Sequence, residues 1–72
     1  MNHGMDKEQM RKIGREHGYQ YGGFDHDRDR YFWQKDISQG PNTKFRVVEA
    51  SQGDVDSGAV HDMLEMGITN PA

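Results

Sequence analysis

The sequence contains no cysteine, which excludes disulfides, thiolate metal ligands and a thiol nucleophile. Aliphatic residues are scarce as well: leucine, isoleucine, valine and phenylalanine together number 11 of 72 residues, and Leu64 is the single leucine. No apolar run approaches the roughly 20 residues that a membrane-spanning helix needs, and residues 1–6 lack the basic-then-apolar layout of a signal peptide. These absences predict no membrane association and a cytoplasmic protein, or one acting in the cytoplasm of a host cell if a phage encodes it.

The chain has seven aromatic residues and five methionines in place of aliphatic ones. Its length predicts one small domain, which we place at residues 1–72 with flexible tails at 1–5 and 69–72. A domain of this size buries only about 60% of the surface of its unfolded chain. Because the chain has no disulfide, either the aromatic residues pack unusually well or a partner completes the fold. A second copy of the chain, in a homodimer, is one such partner.

The N-terminal segment carries the strongest helix signal. Asp6 at the N-cap, with Gln9 three residues later, forms a variant of the capping box. These capping signals predict a helix over residues 7–17. Gly14 lies inside it, and glycine inside a helix costs about 1 kcal/mol relative to alanine, unless close packing requires it. Four residues follow the spacing of its buried face: Met10, Ile13, Gly14 and His17.

Two further segments are predicted to form a β-hairpin. Residues 30–37 and 44–50 have the composition of half-buried strands, and the six residues between them are turn-forming throughout. In the second strand, alternation is predicted to point Phe45 and Val47 inward. Because an isolated hairpin is marginal in water, a third strand near residues 19–24 would make a more viable three-stranded antiparallel sheet.

A second helix is predicted near the C-terminus. Asp56 or Ser57 can serve as its N-cap, and Gly67 provides its stop. Its buried face would consist of Val60, Met63 and Leu64. The expected fold class is therefore α+β, in the order N-terminal helix, β-hairpin and C-terminal helix.

Charge is unevenly distributed along a chain whose net charge is −3. Residues 1–46 carry all nine basic side chains against seven acidic ones, and residues 47–72 carry five acidic side chains and no basic one. The two regions therefore have net charges of +2 and −5. Such asymmetry predicts an interaction surface.

Two patterns resemble metal sites, and each fails a requirement. Asp25, Asp27 and Asp29 match the first three liganding positions of a calcium loop, but Arg30 stands where that loop needs glycine. His61 and Glu65 are spaced to share a metal on the predicted helix, yet a zinc site needs further ligands that the sequence does not offer in a recognised pattern. We expect no metal and no cofactor.

Catalysis has little support in the sequence. Ser38, Ser51 and Ser57 each stand in a turn or cap, outside the strand–turn–helix setting of a nucleophilic serine. Residues 22–23, a glycine pair, are followed by neither a helix nor a P-loop lysine. Because so short a chain also has little room for a water-excluding pocket, we assign no catalytic residue and do not expect an enzyme.

Nucleic-acid binding is the alternative function. Basic residues interleaved with aromatic ones are typical of surfaces on which single strands stack. Acidic neighbours and the negative net charge oppose this interpretation, since such domains are normally basic. The residues that would carry the binding are Lys7, Arg11, Arg15, Arg28, Arg30 and Lys35.

Protein binding is the function that the sequence favours. Aromatic residues, methionine and arginine are enriched at interface cores, and an acidic surface steers association with a basic one. The predicted anchors or core residues are Tyr31, Phe32 and Trp33, and the predicted acidic face consists of Asp54, Asp56, Asp62 and Glu65. In size and composition the chain is similar to short accessory proteins of phages and mobile elements. We therefore hypothesise a non-enzymatic protein that binds a larger protein, as an inhibitor occluding a functional surface of a host protein or nucleic-acid-handling complex.

Overall fold

The computed structural model describes residues 7–69. In chain order the elements are α1 (Lys7–Glu16), β1 (Gln20–Asp25), β2 (Arg30–Asp36), β3 (Phe45–Ala50), α2 (Gln52–Ser57) and α3 (Ala59–Met66). The strands form one antiparallel sheet in the order β1-β2-β3, and the helices contribute to a single core against one of its faces. None of the helices in this part of the chain is long and apolar enough to cross a membrane. The predicted α+β class and the third strand are both confirmed.

Helix α1 lies against the sheet through the face that its sequence predicts. Met10, Ile13 and Gly14 are buried, but His17, predicted on the same face, is half-buried and follows the last residue of the helix. The predicted N-cap Asp6 lies outside the described residues. A Cβ at Gly14 would lie 2.6 Å from Cδ1 of Trp33, which is too close for any side chain. Close packing therefore requires glycine at this position in the helix interior.

Trp33 is the centre of the core and has no exposed surface. It pairs with Val48 of β3 and with Tyr21 of β1, and its indole N–H donates a 2.9 Å hydrogen bond to the backbone carbonyl of Met10. Successive strand residues point to opposite faces, so the alternate β3 residues Val48 and Ala50 lie on the same face as Trp33. Both are fully buried.

The predicted inward face of β3 is wrong. Phe45 and Val47 are 53% and 47% exposed, because the pairing of Trp33 with Val48 turns the odd-numbered residues of β3 away from the helices. A register difference of one residue exchanges the two faces of a strand. Residues 45–50 are apolar at positions of both parities, so the sequence pattern alone selects the wrong face.

The C-terminal helical region contains two helices where the sequence predicted one. Helix α2 begins earlier than predicted, with Ser51 as its N-cap in a capping box with Asp54. Gly58, in the left-handed conformation at φ 86°, separates it from α3. The predicted caps Asp56 and Ser57 therefore lie inside α2, although the Ser57 hydroxyl does accept a 3.3 Å hydrogen bond from the first amide of α3. The predicted stop at Gly67 is confirmed.

The chain after α3 returns to the sheet. Thr69 accepts a 3.1 Å hydrogen bond through its hydroxyl from the backbone amide of Glu49. Thr69, which was predicted to begin a flexible tail, is therefore bonded to the sheet, while residues 1–5 and 70–72 of the predicted tails lie outside the described residues.

Candidate functional site

The face of the sheet that points away from the helices is exposed and partly apolar. We call it the open face and define it by Phe32, Phe45 and Val47. Phe45 and Val47 are about half exposed, and Phe32 is partly buried. The Phe32 ring lies over Gly22, where a Cβ would collide with it. The open face therefore offers two exposed apolar side chains and an aromatic ring that packs against Gly22 of β1.

The same region contains an unpaired sheet edge, because β3 is an outer strand. The Glu49 amide points away from β2, since it donates to Thr69. Amides of the same parity in a strand point the same way, which directs those of Phe45 and Val47 outward. Neither has a hydrogen-bond partner among the described residues. An extended segment can therefore pair with β3 over residues 45–47.

The three predicted aromatic anchors lie in different environments. Trp33 is a core residue. Tyr31 is half-buried against the core, and its hydroxyl donates a 2.6 Å hydrogen bond to Oε1 of Gln52. Phe32 alone among the three belongs to the open face.

The acidic residues of the second half of the chain divide into two groups. Glu49 forms ion pairs with Arg28 at 3.0 Å and with Arg30 at 4.0 Å, and its side chain is only 14% exposed. The predicted acidic face is carried by α2 and α3: Asp54, Asp56, Asp62 and Glu65. Since these helices pack on the other side of the sheet, the acidic face and the open face point in opposite directions.

Two of these acidic side chains also have structural roles. Asp54 closes the capping box by accepting from the Ser51 amide at 3.2 Å, and Asp56 accepts from Nε2 of Gln52 at 2.9 Å. Asp62 and Glu65 are exposed and form no ion pair within residues 7–69. They are the residues of the acidic face most available to a partner.

The predicted basic residues are not gathered on one surface. Arg28 and Arg30 are paired with Glu49, and Arg11 forms a 2.8 Å ion pair with Glu8. Lys35 lies 5.5 Å from the centre of the Tyr19 ring. Lys7 and Arg15 remain on the exposed side of α1, far from the open face because α1 covers the opposite side of the sheet. The structure therefore does not combine the basic residues of α1 with the exposed aromatic residues.

Two cations have a structural role that the sequence did not indicate. Lys35 and Arg46 pair across β2 and β3, and their side chains contact the chain where two helices end. Lys35 atoms lie 3.6 Å from the position of a Cβ on Gly18, and Arg46 atoms lie 2.8 Å from that on Gly67. Positive charge at a helix C-terminus stabilises the helix dipole, so these two residues stabilise the ends of α1 and α3.

The aspartate-rich segment forms a hairpin turn and not a calcium loop. Oδ1 of Asp25 accepts from the amides of Asp27 at 3.0 Å and Arg28 at 3.4 Å, and Asp29 adopts the left-handed conformation at φ 58°. Asp25 and Arg30 are the last pair of the β1–β2 ladder. Within residues 7–69 these carboxylates do not converge on a common point.

A different set of metal-ligating side chains does converge in this part of the chain: Glu16, His17 and His61. Nε2 of His17 lies 3.0 Å from Nδ1 of His61, and Oε1 of Glu16 lies 3.7 Å from the same nitrogen. The sequence paired His61 with Glu65, which is outside this group. No spacing rule could have joined residues 44 positions apart.

Two titrating groups are shifted by their surroundings. Burial, and secondarily the neighbouring Tyr31 phenol, raise the pKa of Tyr21 above its ordinary value. The hydroxyl and then the backbone amide of Ser38 lower the pKa of Asp36 by hydrogen bonding. Neither group lies in a cleft with a second shifted group, which is the arrangement expected of acid–base catalysts.

The three serine hydroxyls are engaged with the backbone. Ser38 Oγ accepts from the Lys44 amide at 2.8 Å, Ser51 Oγ accepts from the Asp54 amide at 3.2 Å, and Ser57 Oγ donates to the Asp54 carbonyl at 3.4 Å. None of them has a histidine partner among the described residues. An activated serine needs an adjacent base, so this arrangement does not support nucleophilic catalysis.

No protein-family model, curated protein or solved structure matches this chain.

Proposed function

We propose that this chain is a non-enzymatic protein-binding protein that contacts its partner through the open face and the adjoining edge of β3. The observation that carries the proposal is the exposure of Phe45 and Val47, whose outward amides have no hydrogen-bond partner within residues 7–69. Exposed apolar edge strands pair readily with other chains, and proteins normally protect them. Retention of such an edge is typical of domains that bind by strand addition.

The chemistry of the edge defines the partner. Along the chain, Lys44 precedes the two exposed apolar residues and Arg46 stands between them, and neither cation forms an ion pair within residues 7–69. Opposite charges directly across a strand pair are favourable, whereas like charges are unfavourable. The occupant is therefore an extended segment of a larger protein that alternates apolar side chains with acidic ones.

A second copy of this chain is a poorer occupant. Antiparallel self-pairing centred on residues 45–47 would place Arg46 opposite the Arg46 of the other copy. That juxtaposition opposes a homodimer formed through this edge, since two like charges would face each other directly.

Binding of this kind would also inhibit the partner. A chain of this size covering an extended segment of a larger host protein would act as an inhibitor by occluding a functional surface. The acidic face on α2 and α3 lies on the far side of the sheet and remains available to a basic surface, such as that of a nucleic-acid-handling complex.

The test compares variants of each surface in a capture experiment. Proteins are captured from a lysate of the organism that encodes the chain, and the captured protein is then purified and titrated by calorimetry. Phe45→Ser and Val47→Pro should each weaken binding about tenfold or more, while Met66→Ser, which changes an exposed apolar residue on α3, should leave it unchanged. Val47→Pro is informative because its amide is outward, so proline removes no ladder hydrogen bond to β2.

A charge-reversal variant distinguishes the two surfaces. Asp62→Lys combined with Glu65→Lys should leave the affinity within about twofold if the open face carries binding. If that variant abolishes binding while Phe45→Ser retains it, the acidic face is the contact surface and the proposal is overturned. Circular dichroism of each variant establishes that it is folded.

The nucleic-acid alternative is tested separately. Labelled single-stranded and double-stranded DNA and RNA are titrated at low salt, where phosphate contacts are strongest. We expect no binding tighter than about 10 µM, because the basic residues of α1 and the exposed aromatic residues lie on different sides of the sheet. Tight, salt-sensitive binding that is lost in Arg11→Glu and Arg15→Glu would contradict this expectation.

A further inference from the structure

The end of α1 and the middle of α3 meet through three side chains that the protein-binding surface does not use. Glu16 is the last residue of α1, His17 follows it directly, and His61 lies in α3. One nitrogen of each imidazole and one carboxylate oxygen all lie within 4.8 Å of one another. We propose that Glu16, His17 and His61 form a Zn²⁺ site that joins α1 to α3.

The spacing of the ligand atoms supports this assignment. Zinc–nitrogen bonds of about 2.0–2.1 Å in tetrahedral geometry place neighbouring ligand atoms about 3.3 Å apart. The observed separations from Nδ1 of His61 are 3.0 Å to Nε2 of His17 and 3.7 Å to Oε1 of Glu16. The third pair, Glu16 and His17, lies within 4.8 Å, so rotations of these exposed and half-buried side chains bring the three ligand atoms to the spacing of the bound geometry.

The chemistry of the ligands selects the metal. Two imidazole nitrogens and one carboxylate oxygen form the set that binds zinc in many proteins, with a water in the fourth position. Calcium and magnesium prefer sites made of oxygen alone, so this group discriminates against them. Without a metal, the two imidazoles are within hydrogen-bond distance of each other, and Zn²⁺ replaces that contact.

The charge of the group itself favours a cation. Glu16 forms no ion pair with a lysine or arginine within residues 7–69. The C-terminus of α1 contributes partial negative charge at His17 through the helix dipole. Of the charged neighbours, Lys12 and Arg15 on α1 and Lys35 beside Gly18 oppose the cation, and Asp62 and Glu65 on α3 favour it. With Glu16 these formal charges balance, so the attraction for a cation comes from the Glu16 carboxylate, which is itself a ligand.

A bound ion would link two elements that are distant in the sequence. His17 and His61 are 44 residues apart, so the ion acts as a cross-link closing a long segment of a chain without disulfides. Because a ligand that binds only the folded state stabilises it, Zn²⁺ should raise the thermal stability of this protein.

Calorimetric titration of Zn²⁺ into the full chain tests the site. We expect one equivalent to bind with a dissociation constant below about 100 µM at pH 7.5. At a free concentration about a hundredfold above that constant, the melting temperature should rise by about 10–20 °C. Co²⁺ should show the visible absorption of a four-coordinate site.

Variants locate the binding. His17→Ala and His61→Ala should each weaken it about tenfold or more. The matched control combines His26→Ala, in the β1–β2 turn, with His3→Ala, outside the described residues, and should retain full affinity. Glu16→Gln changes an exposed side chain without removing a core contact. Its expected loss of Zn²⁺ affinity therefore tests the site even if a histidine variant unfolds.

Two results would overturn the site. One is a wild-type chain that binds no Zn²⁺ at about 100 µM, on the order of the weakest affinity expected of three ligands. The other is binding that survives in Glu16→Gln and His61→Ala but is lost in the control variant, which would place the ion on the remaining histidines. Neither result bears on the open face, because the two regions share no residue.

Discussion

At Gly14 the missing side chain allows the backbone of α1 to approach the indole of Trp33. The sequence could predict that this position is buried, from its place in the helical period. Sequence analysis could also predict that glycine is favourable in the helix interior only where another part of the chain packs closely against it. It could not identify the contacting residue, because Trp33 comes from a strand whose register is fixed only in the folded chain.

Gly14→Ala should destabilise the protein by about 1–3 kcal/mol, because the added methyl group would displace Trp33 or the Tyr19 carbonyl. That cost exceeds the roughly 1 kcal/mol that alanine gains over glycine in a helix. Urea unfolding followed by circular dichroism measures the difference.

Gly53→Ala is the matched control for this substitution. Gly53 lies in α2, and the nearest atom to the position that its Cβ would occupy is the Ser51 hydroxyl oxygen at 3.7 Å. Alanine should therefore be neutral there or stabilising by up to about 1 kcal/mol. Equal effects at both positions would show that packing against Trp33 is not what requires glycine at Gly14.

The position of β3 in the sequence was predicted correctly, but the residues of β3 that face the core were not. The sequence predicted the strand correctly to within a residue, since its composition and flanking turn are distinctive. The predicted facing was wrong because Phe45 and Val47 together carry more apolar surface than Val48 and Ala50, although the two valines are identical. Val48 and Ala50 lie under the helices, where space is limited by Trp33, and the larger Phe45 lies with Val47 on the open face.

The prediction of a single C-terminal helix was wrong for a different reason. Ser51 and Asp54 carry the signature of a capping box, so the sequence did contain the signal for an early helix start. Gly58 then divides the region at a left-handed residue. Reading Asp56 and Ser57 as the cap placed the start at the second of two helices and missed the first.

Substitution of the two serines distinguishes these helix starts. Ser51→Ala should destabilise the protein by about 0.5–2 kcal/mol, since it removes an N-cap and leaves the Asp54 amide unpaired. Ser57→Ala should cost about 0.5 kcal/mol or less, because this hydroxyl is exposed and its two hydrogen bonds are long. Thermal unfolding by calorimetry measures both, and a larger cost at Ser57 would restore the single-helix interpretation.

For the whole molecule, the separation of surfaces matters more than the net charge. The −5 charge of the C-terminal region is reduced on the acidic face because Glu49 is paired with arginines near the β1–β2 turn. The sequence could predict the asymmetry from counts alone. It could not predict that the sheet would lie between the acidic face and the open face, since that depends on which side of the sheet the helices cover.

We expect the protein to be monomeric in solution at low salt. Self-pairing through the edge at residues 45–47 would bring two Arg46 side chains together, and like charges directly opposite each other are unfavourable. Light scattering after size exclusion should give a mass near 8.3 kDa. A stable dimer of about twice that mass that persists in Phe45→Ser would show that self-association uses another surface.

The burial of Trp33 makes the protein its own reporter. This indole is the single tryptophan of the chain; it contacts α1 at Gly14, is 5.6 Å from the Tyr21 ring and pairs with Val48. Its fluorescence therefore senses a helix and all three strands at once and should shift to longer wavelength when any of them separates. One emission spectrum, without a label or a cofactor, can thus follow the cooperative loss of the entire core.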